Sequence, residues 1–200
     1  MNRPRLLPLP AAQWDSETRQ LLDRALTAPD GATLNLFGTL ARAPRLLKKW
    51  LVFASYLLTR GELAPADREL VILRTAWNCG CEYEWGQHVL LARRAGLQDD
   101  EIARVVHGPA APDWSPRQAI LLRAADELRH SCTISAPTWA ALAEQLTEQQ
   151  LIELPVLIGQ YHLVAFLLHS LAIAREPGVP GFPTSPAAPS PCTRTSTRES

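Results

Sequence analysis

Apolar residues along most of this chain recur at steps of three and four, the period of an amphipathic helix, while the strict alternation of strands is scarce. The pattern predicts an all-α helical bundle, with helices near 13–27, 33–41, 44–59, 66–78, 81–95, 99–107, 116–130, 136–145 and 148–173. Several starts are legible. Ser115 precedes Pro116 as an N-cap with proline at the first helical position, and Ser135 and Thr147 stand where the next two caps belong. Gly96 and Gly108 read as stops. Short spacers favour antiparallel neighbours, so helices 66–78 and 81–95 are expected to form an antiparallel pair. Pro155 falls inside the last helix and predicts a kink or an interrupted start there.

The pattern fails at both ends. Residues 1–30 read as an N-terminal arm with a first helix, and residues 31–176 as one helical domain. Residues 177–200, rich in Pro, Ser and Thr, read as a tail that is disordered beyond Phe182. The most apolar stretch, Leu151 to Ala174, is long enough to span a bilayer but carries Glu153, Pro155, Gln160, His162 and His169. It is expected to be a buried helix shared with another copy of the chain, making a homo-oligomer, and no membrane partner is expected.

Composition narrows the function classes. With 200 residues, 46% of them hydrophobic, the chain can bury the core of one domain. Lys+Arg 20 against Asp+Glu 20 leaves no net field, so nucleic acid is not an expected partner. Cys79, Cys81, Cys132 and Cys192 are too few and too uneven for a disulfide scaffold, and the N-terminal MNRPRLLPLPAAQ lacks the apolar run of a signal peptide. A reducing cytoplasm is the expected location. No Walker A loop, GxGxxG, GxSxG or HExxH motif occurs. Trp14, Trp50, Trp77, Trp85, Trp114 and Trp139 are scattered and read as core and interface anchors.

The chemistry-bearing segment is Leu63 to Gly96, LAPADRELVILRTAWNCGCEYEWGQHVLLARRAG. On its first helix, Pro65, Glu69, Ile72, Leu73 and Ala76 share a face, which puts the Glu69 carboxylate in an apolar stripe. It is read either as one half of a buried ion pair, with Arg68 of a neighbouring copy, Arg74 or another arginine, or as a catalytic group. On the second helix Cys81, Glu84, His88, Leu91 and Ala95 share a face, with Trp85 beside them. Cys81 stands near that helix's N-terminus, where the macrodipole favours a thiolate, and His88 two turns on is placed to take a proton. The alternative is that both are core residues. Zinc is disfavoured: Cys79-Gly80-Cys81 lacks the usual two-residue spacing and no second Cys/His pair answers it. His130, Cys132, His162 and His169 read as packing or capping residues.

The block Arg68-Glu69-Leu70-Val71-Ile72-Leu73-Arg74 followed by Cys81-Glu82-Tyr83-Glu84-Trp85-Gly86-Gln87-His88 resembles the carboxymuconolactone decarboxylase family, which includes the alkyl hydroperoxidase D-like proteins. The likeness extends back to Asn35-Leu36-Phe37 and forward to Gly159-Gln160-Tyr161. The resemblance implies an all-α oligomer, commonly a trimer or hexamer, acting on a small molecule without cofactor or metal. It implies catalytic roles for Glu69, Cys81, Glu84 and His88, with Arg74 anchoring a substrate carboxylate and Tyr83 and Trp85 as site walls. In the hydroperoxidase branch a second cysteine stands where this chain has Glu84, so the usual disulfide pair is missing. A carboxylate there favours acid/base, lyase-type chemistry on a carboxylated or lactone-like substrate. Thiol-dependent peroxidase activity, with Cys79 as the substitute cysteine, and a non-catalytic helical scaffold are the alternatives.

Overall fold

A computed structural model describes residues 3–23, 25–28 and 30–183. Nine α-helices form among them: α1 Ser16–Leu22, α2 Asn35–Leu40, α3 Pro44–Thr59, α4 Pro65–Asn78, α5 Glu82–Arg94, α6 Asp99–Arg104, α7 Pro116–Ser131, α8 Ala136–Ala143 and α9 Glu148–Leu171. Ala11–Gln13 and Val105–His107 are single 3-10 turns. Among the described residues no strand forms, and the extended pairing is one antiparallel bridge between Thr27 and Thr33. The protein is all-α, as its periodicity predicts.

α4 lies at the centre, packed against α5, α7 and α9. It is apolar on opposite sides because it serves two cores. Val71 and Ile72 join Leu121, Leu142, Leu157 and Ile158 on one side. Leu70, Leu73 and Trp77 join Trp85, Val89 and Val105 on the other. The turn from α4 into α5 is set by Gly80. Its φ of +63° lets the Cys81 amide reach the Ala76 carbonyl and its own amide reach the Trp77 carbonyl, which closes the helix and starts the next within three residues. Ser115 and Thr147 each complete a capping box. Ser135 makes no cap of its own; its amide and hydroxyl both donate to Glu127.

Four expectations are corrected. The first helix is Ser16–Leu22 only, capped by Asp15, and the chain then reverses at an Asp30-Gly31 turn with Gly31 at φ +82°. The expected helix 99–107 divides into α6 and the 3-10 turn, where Arg74 takes the Val105 and Val106 carbonyls. α9 begins at its Thr147–Gln150 cap and continues through Pro155, so the interrupted start is not found. Residues 177–183 are not a detached tail, as they pack on α5: Val179 is buried and Phe182 closes on Trp77 and Trp85 at ring-centroid distances of 4.9 and 5.6 Å. The rest of the expected disordered tail, with Cys192, lies outside the described residues.

Candidate functional site

Glu69, in the second turn of α4, has a fully buried side chain, and both of its oxygens are partnered. Arg68 Nε donates to Oε1 at 3.0 Å, and His88 Nδ1 lies 2.7 Å from Oε2. A carboxylate on Nδ1 fixes that nitrogen as the protonated one and leaves Nε2 as the proton-exchanging atom. Nε2 bonds to no described residue. The buried charge is thus compensated by Arg68 of the same chain and by His88, while Arg74, the other candidate partner, is engaged elsewhere.

Glu69 and His88 stand in the wall of a cavity of about 1120 Å³. Its wall also includes Arg68, Tyr83, Glu84, Gln87, Gln160 and Tyr161, with Phe37, Trp50 and Leu51 on its apolar side. Glu84 is one helical turn before His88. Its carboxyl is closed off from water and has no hydrogen-bond partner, and desolvation pushes its pKa well above the ordinary carboxyl range. Burial thus favours its protonated form.

The other residues singled out in the sequence separate from this group. Cys81 stands at the N-cap position of α5 without a side-chain cap bond, is buried, and does not line the cavity. Burial pushes its thiol well up, Glu84 adds to this, and the Glu84 and Tyr83 amides offset it only in part. Arg74 faces the opposite side of α4: it holds Asp126 with two hydrogen bonds, at 2.6 and 2.9 Å, and the Val105 and Val106 carbonyls. It anchors the 105–106 turn, so a substrate carboxylate does not meet it. Trp85 packs in the core with Trp77 and Phe182. Tyr83 is a wall residue, but its hydroxyl is consumed, donating to Glu176 at 2.6 Å and accepting from the Leu36 amide at 3.3 Å. Among the described residues no group of three or more His, Cys, Asp or Glu side chains could hold a metal ion. His162 donates to the Ile158 carbonyl and His169 to the Cys79 carbonyl, at 2.9 and 3.1 Å.

Several site residues carry no local signal. Gln160 and Tyr161 come from α9, whose periodicity announces only burial, and Gln87 is bound to Glu176 at 2.6 Å from beyond α9. Arg68 is in the quoted block, and its Nε bond to Glu69 leaves its terminal nitrogens at the cavity without a partner among the described residues.

A helical bundle whose central helix pair presents a carboxylate–imidazole couple to a large cavity defines the class of this protein. Residues 44–127, running from α3 into α7, match the model of the carboxymuconolactone decarboxylase family. No curated protein sequence matches it. Solved structures share the fold at low identity. An uncharacterized peroxidase-related protein from Silicibacter sp. TM1040 is 16% identical with a TM-score of 0.75, over 89% of this chain and 95% of that one. An alkylhydroperoxidase AhpD core protein from Ralstonia eutropha JMP134 is 19% identical with a TM-score of 0.74, over 88% and 95%. The debrominase Bmp8 is 13% identical with a TM-score of 0.72, over 86% and 92%.

Proposed function

We propose that this protein is an acid/base enzyme of the lyase type, acting on a small carboxylated or lactone-like molecule bound in the cavity. The observation that carries the reading is the 2.7 Å contact between Glu69 and His88 in the wall of a cavity that neither cysteine lines. Loss of carbon dioxide from such a substrate breaks a carbon–carbon bond, sends its electron pair into the conjugated lactone, and needs a proton delivered to carbon. His88 Nε2, oriented by Glu69, supplies that proton and is recharged from solvent. Arg68, in place of Arg74, anchors the substrate carboxylate through its terminal nitrogens. Burial favours the protonated Glu84 carboxyl, which lowers the like-charge repulsion that a carboxylated ligand meets. A protein of the same fold supports the size of ligand: a cysteine-to-alanine variant of the debrominase is in complex with 2,3,4-tribromopyrrole, a small planar ring.

The test is ultraviolet-monitored turnover of carboxymuconolactone by the full chain. Turnover is expected in the parent and in a Cys79→Ala/Cys81→Ala double variant. It should be lost in His88→Ala, by at least about 100-fold, with the helical circular dichroism retained. Rapid hydroperoxide consumption with an added dithiol, accompanied by a Cys79–Cys81 disulfide in peptide mapping, would overturn the reading in favour of a peroxidase.

A further inference from the structure

Tyr161 on α9 is 6% exposed, and its ring meets the His88 imidazole edge-on, with centroids 4.8 Å apart at 88°. It lines the cavity, and its hydroxyl bonds to no described residue. Buried tyrosine hydroxyls ordinarily find a partner, since an unmet one costs free energy. Tyr83 shows the ordinary case in the same wall, bonded to Glu176 and Leu36. Gln160, next in the chain to Tyr161, repeats the exception: it is 5% exposed, lines the cavity and has no side-chain hydrogen bond to a described residue. Two buried polar side chains of the cavity wall, one of them against the imidazole, therefore lack partners among the described residues, and the cavity is where a partner can stand.

Burial pushes the Tyr161 phenol well above its ordinary range, the Glu69 carboxylate adds to the effect, and Arg68 offsets it in part. The group stays protonated, which makes it a donor and rules it out as a base.

We propose that Tyr161 is a further catalytic residue, which donates a hydrogen bond to the ligand oxygen that gains negative charge while His88 moves the proton. The inference rests on the acid/base reading above. The phenolic O–H bond stays intact and no atom is transferred; the hydroxyl stabilises an oxyanion next to the proton donor. The ring contact places the phenol next to the imidazole that moves the proton, in the wall of the same cavity.

The test is Tyr161→Phe, which removes the hydroxyl and keeps the ring against His88. Turnover of carboxymuconolactone should fall about 100-fold in kcat with little change in KM, and the melting temperature should hold or rise. An unchanged kcat with a lowered melting temperature would make Tyr161 structural and overturn the proposal. A second readout is independent of that substrate: protein with ¹³Cζ-labelled tyrosine is titrated with 4-nitrophenolate, a compact oxyanion. The resonance missing from Tyr161→Phe should shift on saturation, and the variant should bind at least about tenfold more weakly. Absence of saturable binding, or binding that leaves this resonance unmoved, overturns the proposal. Absence of lactone turnover alongside a positive titration would discard the lyase reading and leave the oxyanion site standing.

Discussion

Glu69 and Glu84 are both buried carboxyls, yet their surroundings give them opposite character. Glu69 holds Arg68 and His88, while Glu84 has no partner and desolvation raises its pKa. The sign of the pH dependence follows. The folded-state pKa of Glu84 is raised above the ordinary value of 4.5, so its contribution is fully present below that value and is lost as pH rises toward the folded pKa. Glu84→Gln copies the neutral form and removes this dependence. The variant should therefore gain on the parent as pH rises from about 5 to 8, by as much as ~1.4 kcal/mol per pH unit, in parallel urea titrations. A constant difference across that range would show Glu84 ionised in the fold. At this scale the sequence is informative where contacts are local: helical spacing puts Glu69 on one stripe and Glu84 and His88 on another. It does not choose between Arg68 and Arg74, because Asp126 and the 105–106 carbonyls that claim Arg74 are distant in the chain. Tyr161 stands out in the sequence only as part of a flank, since nothing local tells a packed tyrosine from one whose hydroxyl meets a cavity.

The element that most changes the site is the segment after α9. Glu176 is buried and accepts from the Asn35 amide, Tyr83 and Gln87, so one carboxylate ties the start of α2 to two wall residues of α5. Beyond it the chain runs across Gly86, where an added Cβ would collide with the Pro180 carbonyl and come within 2.6 Å of Val179 Cγ1. Gly86→Ala should lift this strap, exposing residues 177–183 to faster amide exchange while α4 and α7 keep their protection. Glu176→Ala strands three donors and should cost roughly 2 kcal/mol in denaturant titration, with a raised KM because Tyr83 and Gln87 lose their anchor. Unchanged exchange in Gly86→Ala would mean that the strap accommodates a methyl group and is not tightly seated. Composition points the other way, because proline, serine and glycine lack a period whether a segment is loose or laid down as extended chain. The long helices are legible for the complementary reason: α3 carries Pro44 at its start, and α4 and α5 meet at the left-handed Gly80.

At the scale of the whole molecule, α9 is the element left incomplete. It is long and apolar enough to cross a membrane by composition, yet half of that window is buried in the bundle. Its outer face presents Ile152, Val156, Leu163 and Phe166, all exposed, with Gly159 open between them. These positions follow steps of four, three, four and three, the spacing of a seam that receives another helix. α3 adds exposed Val52, Phe53 and Tyr56. Scattered apolar residues are ordinary on a surface, but a stripe along an entire helix is a place where burial would release free energy. We propose that a second copy of the chain covers it, since a stripe without charge matches itself and a chain of zero formal charge sets up no repulsion between copies. Light scattering at micromolar concentration should then give an oligomer for the parent. An Ile152→Glu/Phe166→Glu variant should give a monomer of unchanged helicity, because both side chains already face outward and no core contact is removed. A monomeric parent would refute the assignment, and so would an oligomer that persists in the double variant.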